Sequence, residues 1–524
     1  MKKFFRKLFS PLVITIMVSI LEILSIMTLI TLLRVWLDSL VVDWKTIPFY
    51  IGRIIVTIFE VIFFIKVVNK AENPEYKIPW IIVIFLMPFL AIVLYMFFAN
   101  HGLHGKDKKI VNQTRKILEE KYRVDKEGRM QFKLDVPIRY RSIFKYLRHM
   151  TKMYSSGHNR VTYYKNGEEF FPELVRALKR AKRFIFLEFF IIGEGKWWSE
   201  IEEVLLEKAK NGVEVRLLYD DLGSFGILPN NYPKKLRKQG IMCYKFHPFK
   251  PLLSGTYNNR DHRKIAVIDN EEAFTGGMNL ADEYANTIKR FGYWKDTMVK
   301  IEGPAISNLI AIFLQNYDLS SRKISNYDKY LDYDYKLYDE DEGYVFPFGD
   351  GPGGYSYNEP IGEENYLQII DSADYTLWIS TPYLIPTYRM MEALKAAAKR
   401  DIDVRLFLPG IPDKKLVYWL AKSDFKQLLE AGVKIFIYKP GFNHEKQIVA
   451  DEKLAFCGTI NFDFRSLTHH FECGVTMYDC NCIKDMVDDF KEMEAQSEEL
   501  KEAPKMNVFV RIIASIIKIF RTLL

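Results

Sequence analysis

At 524 residues the chain exceeds what one ordinary core holds, so two or more domains are expected. A hydrophobic content of 49% beside 27% charged residues excludes a disordered chain. The formal net charge of +8 suits an anionic partner, nucleic acid or an acidic membrane surface, without choosing between them.

The first hundred residues differ from the rest. Pro11 to Leu33 is apolar apart from Glu22 and a few hydroxyl residues, long enough to span a bilayer, and Ile78 to Phe98 carries no charged residue. Phe49 to Val68 is also apolar but includes Arg53, Glu60 and Lys66. A charged group at mid-membrane costs about 2.5–3.5 kcal/mol on insertion scales, so this span requires Glu60 to face another helix or its ends to snorkel. Lys2, Lys3, Arg6 and Lys7 favour an inside N-terminus, and Lys106, Lys108, Lys109, Arg115 and Lys116 an inside start to the soluble part. Three crossings cannot satisfy both. Residues 1–100 are therefore expected to hold two or three apolar spans, with the first or middle one lying in the interface or re-entering.

A basic linker, 101–150, follows, with Lys106 to Arg123 expected as a helix along the membrane surface. Two similar α/β units come next, 151–326 and 365–500. In the first, helical periodicity over Phe171 to Lys182 precedes a buried strand, 184–190, an amphipathic helix from Trp197 to Asn211, and a strand over 212–220. In the second, a helix from Asn365 to Ala373, a strand from Tyr375 to Ser380, a helix from Met390 to Arg400 and a strand over 401–408 repeat the order. Between them, 327–364 is rich in Tyr, Asp, Glu, Gly and Pro and reads as a loop-bearing linker. The tail, 501–524, ends in an amphipathic basic helix, suited either to anionic lipid or to packing on the second domain. The five cysteines, Cys243, Cys457, Cys473, Cys480 and Cys482, are odd in number and uneven in spacing, so they are expected reduced and structural.

One pattern occurs twice. His262, Lys264 and Asp269 are followed by Gly276-Gly277-Met278-Asn279; His444, Lys446 and Asp451 are followed by Gly458-Thr459-Ile460-Asn461, at identical spacing. His and Lys alternate, so on a strand they share a face. Both copies in one cleft supply two His, two Lys and two Asn, a set suited to phosphodiester chemistry. One imidazole attacks phosphorus and the other protonates the leaving alkoxide. The lysines, with Asn279 and Asn461 as phosphate-binding groups, stabilise charge as the trigonal-bipyramidal state forms. Cations and amides thus do the work of a metal, and no metal or cofactor is expected. The six His, Lys and Asp positions form the expected catalytic set, with the aspartates at strand ends closing turns rather than entering the chemistry. Each imidazole needs a partner to fix its tautomer, and Asp296 and Glu472 stand at comparable places after the two asparagines.

These residues resemble the paired HKD motifs of the phospholipase D superfamily. Flanking stretches, among them Asn73 to Trp80, Leu187 to Ile192, Asn258 to Asp261, Trp294 to Thr297, Thr381 to Pro386 and Asn461 to Ser466, are similar to those of bacterial cardiolipin synthases. The resemblance implies two phospholipase D-type α/β domains with the active site between them, preceded by transmembrane helices. It implies that two phosphatidylglycerol molecules give cardiolipin and glycerol through a phosphatidyl-histidine, with His262 as nucleophile and His444 as general acid and base, or the reverse. It places the chain in a bacterial cell membrane as a multi-pass protein, its catalytic domains on the cytoplasmic face. The partners implied are phosphatidylglycerol and an anionic membrane, with no nucleic acid. Three alternatives stay open: the same chemistry with water or another alcohol as acceptor, a nuclease, and an inactive lipid-binding scaffold. Gly277 stands where many superfamily members carry a serine, so a hydroxyl role is lost in the first half.

Overall fold

The computed structural model describes residues 47–523 apart from 71–72, 88–90, 92–93, 96–101, 104, 123–135, 249–257, 340–342, 354 and 356–358. Contacts divide the chain into two units, Met1–His101 with Phe249–Tyr257, and Gly102–Pro248 with Asn258–Leu524.

In the first unit the described residues form the helices Ile47–Asn69 and Pro74–Leu86. The second starts where the Asn73 side chain accepts the Glu75 N–H at 3.0 Å, with Pro74 in the first turn. Val67, Ile84, Ala91 and Tyr95 are buried together, with Trp80 and Phe63 edge-on to the Tyr95 ring. Among the described residues no helix is long and apolar enough to cross a membrane. The Pro11–Leu33 run lies outside them, and so does part of the Ile78–Phe98 run.

The second unit holds two large mixed sheets. Strands of the first half are β1 (Arg160–Tyr164), β2 (Phe184–Phe189), β3 (Glu214–Asp220) and β4 (Met242–Phe246). They continue with β5 (Lys264–Ile268), β6 (Glu272–Gly276), β7 (Tyr293–Lys295) and β8 (Met298–Glu302). The sheet order is β1-β8-β6-β5-β2-β3-β4. β2, β3 and β4 run parallel, as the crossover helices Lys196–Lys210 and Tyr232–Lys238 require. β2 is buried at every position, which is why it reads as an unbroken apolar run rather than an alternation.

The second half begins with β9 (Tyr344–Asp350), β10 (Thr376–Ser380), β11 (Leu384–Ile385), β12 (Asp403–Pro409) and β13 (Lys434–Tyr438). It continues with β14 (Gly441–Asn443), β15 (Gln447–Ala450), β16 (Leu454–Gly458), β17 (Phe462–Asp463), β18 (Glu472–Tyr478) and β19 (Ser497–Leu500). Its sheet order is β19-β13-β12-β10-β15-β16-β18-β9. The central motif hairpins, β5–β6 and β15–β16, take equivalent places beside β2 and β10.

Three features differ from the sequence reading. The 327–364 stretch is not all loop: β9 lies within it and forms the edge of the second sheet against β18. Its Pro347 and Gly349 hide the strand, and proline is tolerated because this is an edge. The helix Gly105–Lys121 buries Val111, Thr114 and Leu118 and packs on the helix Ile306–Ser321, so one face is turned inward rather than to a surface. Within the expected linker, the helix Ile138–Thr151 packs on the second half, against the helix Ile361–Ser372 and β9.

The halves meet where β6 packs on β16 and β18. The helix Ile306–Ser321, buried at nearly every position, supports the junction. Two short pairings cross it. β7 runs parallel to β14, and a bridge joins Asp261 to Phe471. All five cysteines are buried and free.

Candidate active site

His262 stands two residues before β5 and His444 three before β15, and each is fastened to the opposite half. The His262 N–H donates to the Phe471 carbonyl at 2.9 Å, and the His444 N–H to the Lys295 carbonyl at 2.7 Å. The residue after each carbonyl is an acid. Glu472 lies 2.9 and 3.0 Å from Nδ1 of His262, and Asp296 lies 2.6 Å from Nδ1 of His444. Each half therefore supplies one imidazole and the carboxylate for the other half's imidazole. With Nδ1 so engaged, Nε2 is the nitrogen left for chemistry at both positions.

Rings frame the imidazoles, Phe190 and His470 beside His262, and Tyr284, Trp294 and Phe442 beside His444. The lysines fold back over the motif backbone: Lys264 Nζ donates to the His262 carbonyl, and Lys446 Nζ to that of His444. Burial sets the electrostatics. It pushes Lys264 down to about 7 and Lys446 to about 8. Both imidazoles sit well below their ordinary range, first through burial and then through the neighbouring lysine charges. Burial lifts Asp296 to about 6. The cleft thus presents two neutral imidazoles and two lysines that readily exchange protons.

Asn279 and Asn461 are both buried beside the motifs. Asn279 is occupied within the protein, accepting from the Ile191 N–H at 3.0 Å and donating to the Tyr284 hydroxyl at 2.6 Å. The Asn461 amide donates to Asp463 at 3.2 Å, and its carbonyl oxygen has no hydrogen-bond partner among the described residues. Asp269 and Asp451 lie at the far ends of their strands. All of β5, five residues and roughly 16 Å at ~3.3 Å per residue, lies between His262 and Asp269. Asp269-Asn270 and Asp451-Glu452 all have positive φ, at the centres of turns closed by the Glu271 N–H on the Ile268 carbonyl and the Lys453 N–H on the Ala450 carbonyl. The Asp269 carboxylate accepts the backbone N–H groups of Lys182, Arg183 and Phe184; Asp451 accepts those of Asp374, Tyr375 and Thr376. Each ties a turn to the start of the neighbouring strand.

Several residues went unread in the sequence. Arg263, between the histidine and lysine, points away from the cleft and donates across the junction to the carbonyls of Glu472 and Asp350, and within its own half to that of Ile312. Its counterpart Glu445 pairs with Lys295 at 2.8 Å, and Lys295 also binds Asp489 at 2.7 Å. Thr459 donates its hydroxyl to Glu472. His470 Nδ1 lies 3.4 Å from Glu472 Oε1; two-residue spacing from Glu472 was the available signal. His262, His470 and Glu472 bring ligand atoms within 4.8 Å of one another, a spacing open to a cation. Two adjacent lysine ammoniums oppose a dication there.

Duplicated α/β halves, each giving a His-x-Lys strand to one cleft with crossed carboxylates, define a two-motif phosphodiester site of the phospholipase D type. The family model described as "Cardiolipin synthase, PLD-like domain" matches residues 174–315 and 366–494, and one described as "Phospholipase_D-nuclease N-terminal" matches 54–100. The chain is 35% identical to Cardiolipin synthase 2 of Bacillus cereus over 82% of each chain. It is 32% identical to Cardiolipin synthase 1 of that organism over 96% of this chain and 99% of the relative. A solved phosphatidylserine synthase of Haemophilus influenzae shares the fold, with a TM-score of 0.57 at 14% identity over 74% of this chain and 100% of its own. The chain belongs to the PLD-like cardiolipin synthase family.

Proposed function

We propose that the protein is a cardiolipin synthase, a phosphatidyltransferase that joins two phosphatidylglycerol molecules with release of glycerol. Family membership supports the activity, and the crossed His–carboxylate pairs are the observation that carries the mechanism. Nε2 of His262 attacks the phosphorus of one phosphatidylglycerol. A nitrogen–phosphorus bond forms as the bond to the glycerol oxygen breaks; His444, which takes up a proton as the anionic diester binds, delivers it from Nε2 to that oxygen. His444 then takes the proton of a hydroxyl on the second phosphatidylglycerol's glycerol. That oxygen attacks phosphorus, the nitrogen–phosphorus bond breaks, and cardiolipin leaves. The diester's negative charge offsets Lys264 and Lys446 and keeps them protonated while it is bound. Glu472 and Asp296 hold the ring tautomers, and the Asn461 carbonyl oxygen suits a substrate hydroxyl.

Both substrates live in a bilayer, and the apolar N-terminal runs, with the family match over 54–100, support an anchor that concentrates the enzyme there. We place the anchor as a multi-pass segment with the catalytic unit on the cytoplasmic face, from the basic residues that follow it.

Purified full chain incubated with phosphatidylglycerol vesicles should yield cardiolipin and glycerol in equal amounts by lipid mass analysis. Phosphatidic acid as the sole product would make it a hydrolase, and vesicle-independent DNA cleavage would make it a nuclease. Labelled lipid trapped on a peptide containing Lys446 but not Lys264 would reverse the roles of the two histidines.

A further inference from the structure

The catalytic unit carries a second feature that its chemistry does not use. The helix Val508–Ile519 turns Ala514 inward against the helix Lys415–Glu430, and Lys518 binds the buried Asp424. Its opposite face is apolar and open: Phe509 is 70% exposed, Ile512 53% and Ile516 54%. At 100° per residue these three fall within an arc of about 60°, and the exposed Arg511 stands about 100° outside it, on the flank of the helix.

This face lies beside the catalytic cleft. β12 runs parallel to β10, and the last residue of β10, Ser380, pairs with Gln447 next to Lys446. The chain leaving β12 therefore emerges at the motif end of the sheet. There Lys414 depresses the proton affinity of both imidazoles, after burial and the motif lysines. Ile411 and Leu416, exposed at 41% and 50%, flank that lysine, and the exposed Lys415 follows it. From the other side, the turn Arg521–Leu523 packs on the helix Phe464–Thr468, which lies between Asn461 and Glu472. His469 Nε2 comes within 3.4 Å of the Thr522 carbonyl. The first half repeats the arrangement: the loop after β3 leaves the motif end of its sheet and exposes Phe225 at its tip.

We propose that the open face of the helix Val508–Ile519, with Ile411 and Leu416, docks the catalytic unit on an anionic lipid bilayer. Apolar side chains enter the acyl boundary while Arg511, Lys414 and Lys415 meet lipid phosphates. Large apolar groups bordered by cations, on the rim of a cleft that takes a bilayer-borne diester, match a charged lipid surface in both chemistry and place. A headgroup then reaches His262 without its acyl chains leaving the leaflet. The consequence for catalysis rests on the proposed transferase reading; the docking itself does not.

The test uses the full chain reconstituted in bilayers. The native cysteines are all buried, so a polarity-sensitive dye on Phe509→Cys reports this face alone. Its emission should shift to the blue when phosphatidylglycerol is added to phosphatidylcholine bilayers, and should be quenched by lipids spin-labelled near the headgroup. The triple variant Phe509→Asp, Ile512→Asp, Ile516→Asp should lose about tenfold or more of its rate on bilayer phosphatidylglycerol. It should keep its rate on a short-chain, water-soluble phosphatidylglycerol. An unchanged dye spectrum in anionic bilayers, or full bilayer activity of the triple variant, overturns the docking. So does a dye shift that follows protein concentration instead of lipid, which would assign the face to a second copy of the chain. A chain that forms no cardiolipin yet shows the lipid-dependent shift would refute the transferase reading and leave the docking standing.

Discussion

The carboxylate of Glu472 meets Nδ1 of His262 at 2.9 Å across 210 positions of sequence, and it arrives from the other half of the molecule. The acid accepts the Nδ1 proton and leaves Nε2 with its lone pair. Glu472→Gln keeps the shape but offers an amide donor to Nδ1, which drives the proton to Nε2 and removes the nucleophile. We expect kcat to fall by about 10²–10⁴-fold with KM little changed, in line with losses seen when a histidine's orienting partner is removed. Steady-state rates on phosphatidylglycerol vesicles, with kcat and KM separated, decide it. A kcat close to wild type would mean that the pair is merely structural.

The two carboxylates are held differently, and this accounts for the departure at Gly277. In the second half the Thr459 hydroxyl donates to Glu472. In the first half Asp296 fills the space where a side chain would stand: a Cβ at Gly277 would fall 1.9 Å from Asp296 Oδ1. A serine there would displace the shorter acid rather than bind it. Gly277→Ala should therefore push Asp296 away from His444 and lower kcat by about 10–100-fold. Thermal unfolding monitored alongside should show a protein that still folds, and an alanine variant with wild-type kcat would refute the argument.

How much of this was written in the sequence depends on range. The duplicated His262–Asn279 and His444–Asn461 patterns, the helices and the buried strands are local, set by spacing and periodicity, and they appear in the structure within a few residues. Asp269 and Asp451 read as turn formers because a turn at a strand end is a local need, whereas the N–H groups their carboxylates accept, on 182–184 and 374–376, are distant in sequence. Asp296 and Glu472 could be singled out by position, but their crossing could not, because it follows from how the halves meet through β7–β14 and the Asp261–Phe471 bridge. β9 stayed hidden because proline and glycine within it carry a loop signature, and only its edge position tolerates them. Arg263 alternates with His262 and Lys264 and so faces away from the cleft, but strand alternation does not show that the opposite half lies over it.

Arg263 is fully buried and divides its guanidinium among three carbonyls at 3.0–3.1 Å, with the buried Glu188–Asp261 pair nearby, whose proton affinity burial raises. Lysine keeps the charge but cannot reach three acceptors in one plane. Arg263→Lys should strand at least one buried carbonyl and cost about 1–3 kcal/mol, and Arg263→Met, which also leaves the buried acids uncompensated, about 3–5 kcal/mol. Denaturant titration of the detergent-solubilised full chain measures the difference. Equal midpoints for the wild type and Arg263→Met would show that the junction does not depend on this cation.

The depressed lysines predict the pH dependence of substrate capture. In the free enzyme Lys264 titrates at about 7 and Lys446 at about 8. The diester keeps its negative charge throughout this range and binds the protonated form, so binding takes up protons. Capture is strongest below about pH 7 and weakens as pH rises, first through loss of the Lys264 proton and then of the Lys446 proton. His444 must also take up the proton it delivers, so log(kcat/KM) should already fall by about one per pH unit below pH 7, steepen past about 7 and again past about 8, because each proton taken up contributes about tenfold per pH unit. His262, held well below its ordinary range, is already a neutral nucleophile near pH 6 and imposes no acid limb there. Initial rates at low phosphatidylglycerol concentration and constant ionic strength, from pH 6 to above pH 9, give the profile. A kcat/KM that stays flat across pH 7–9 would show that the lysines remain charged in the empty cleft, and that proton uptake is not part of binding.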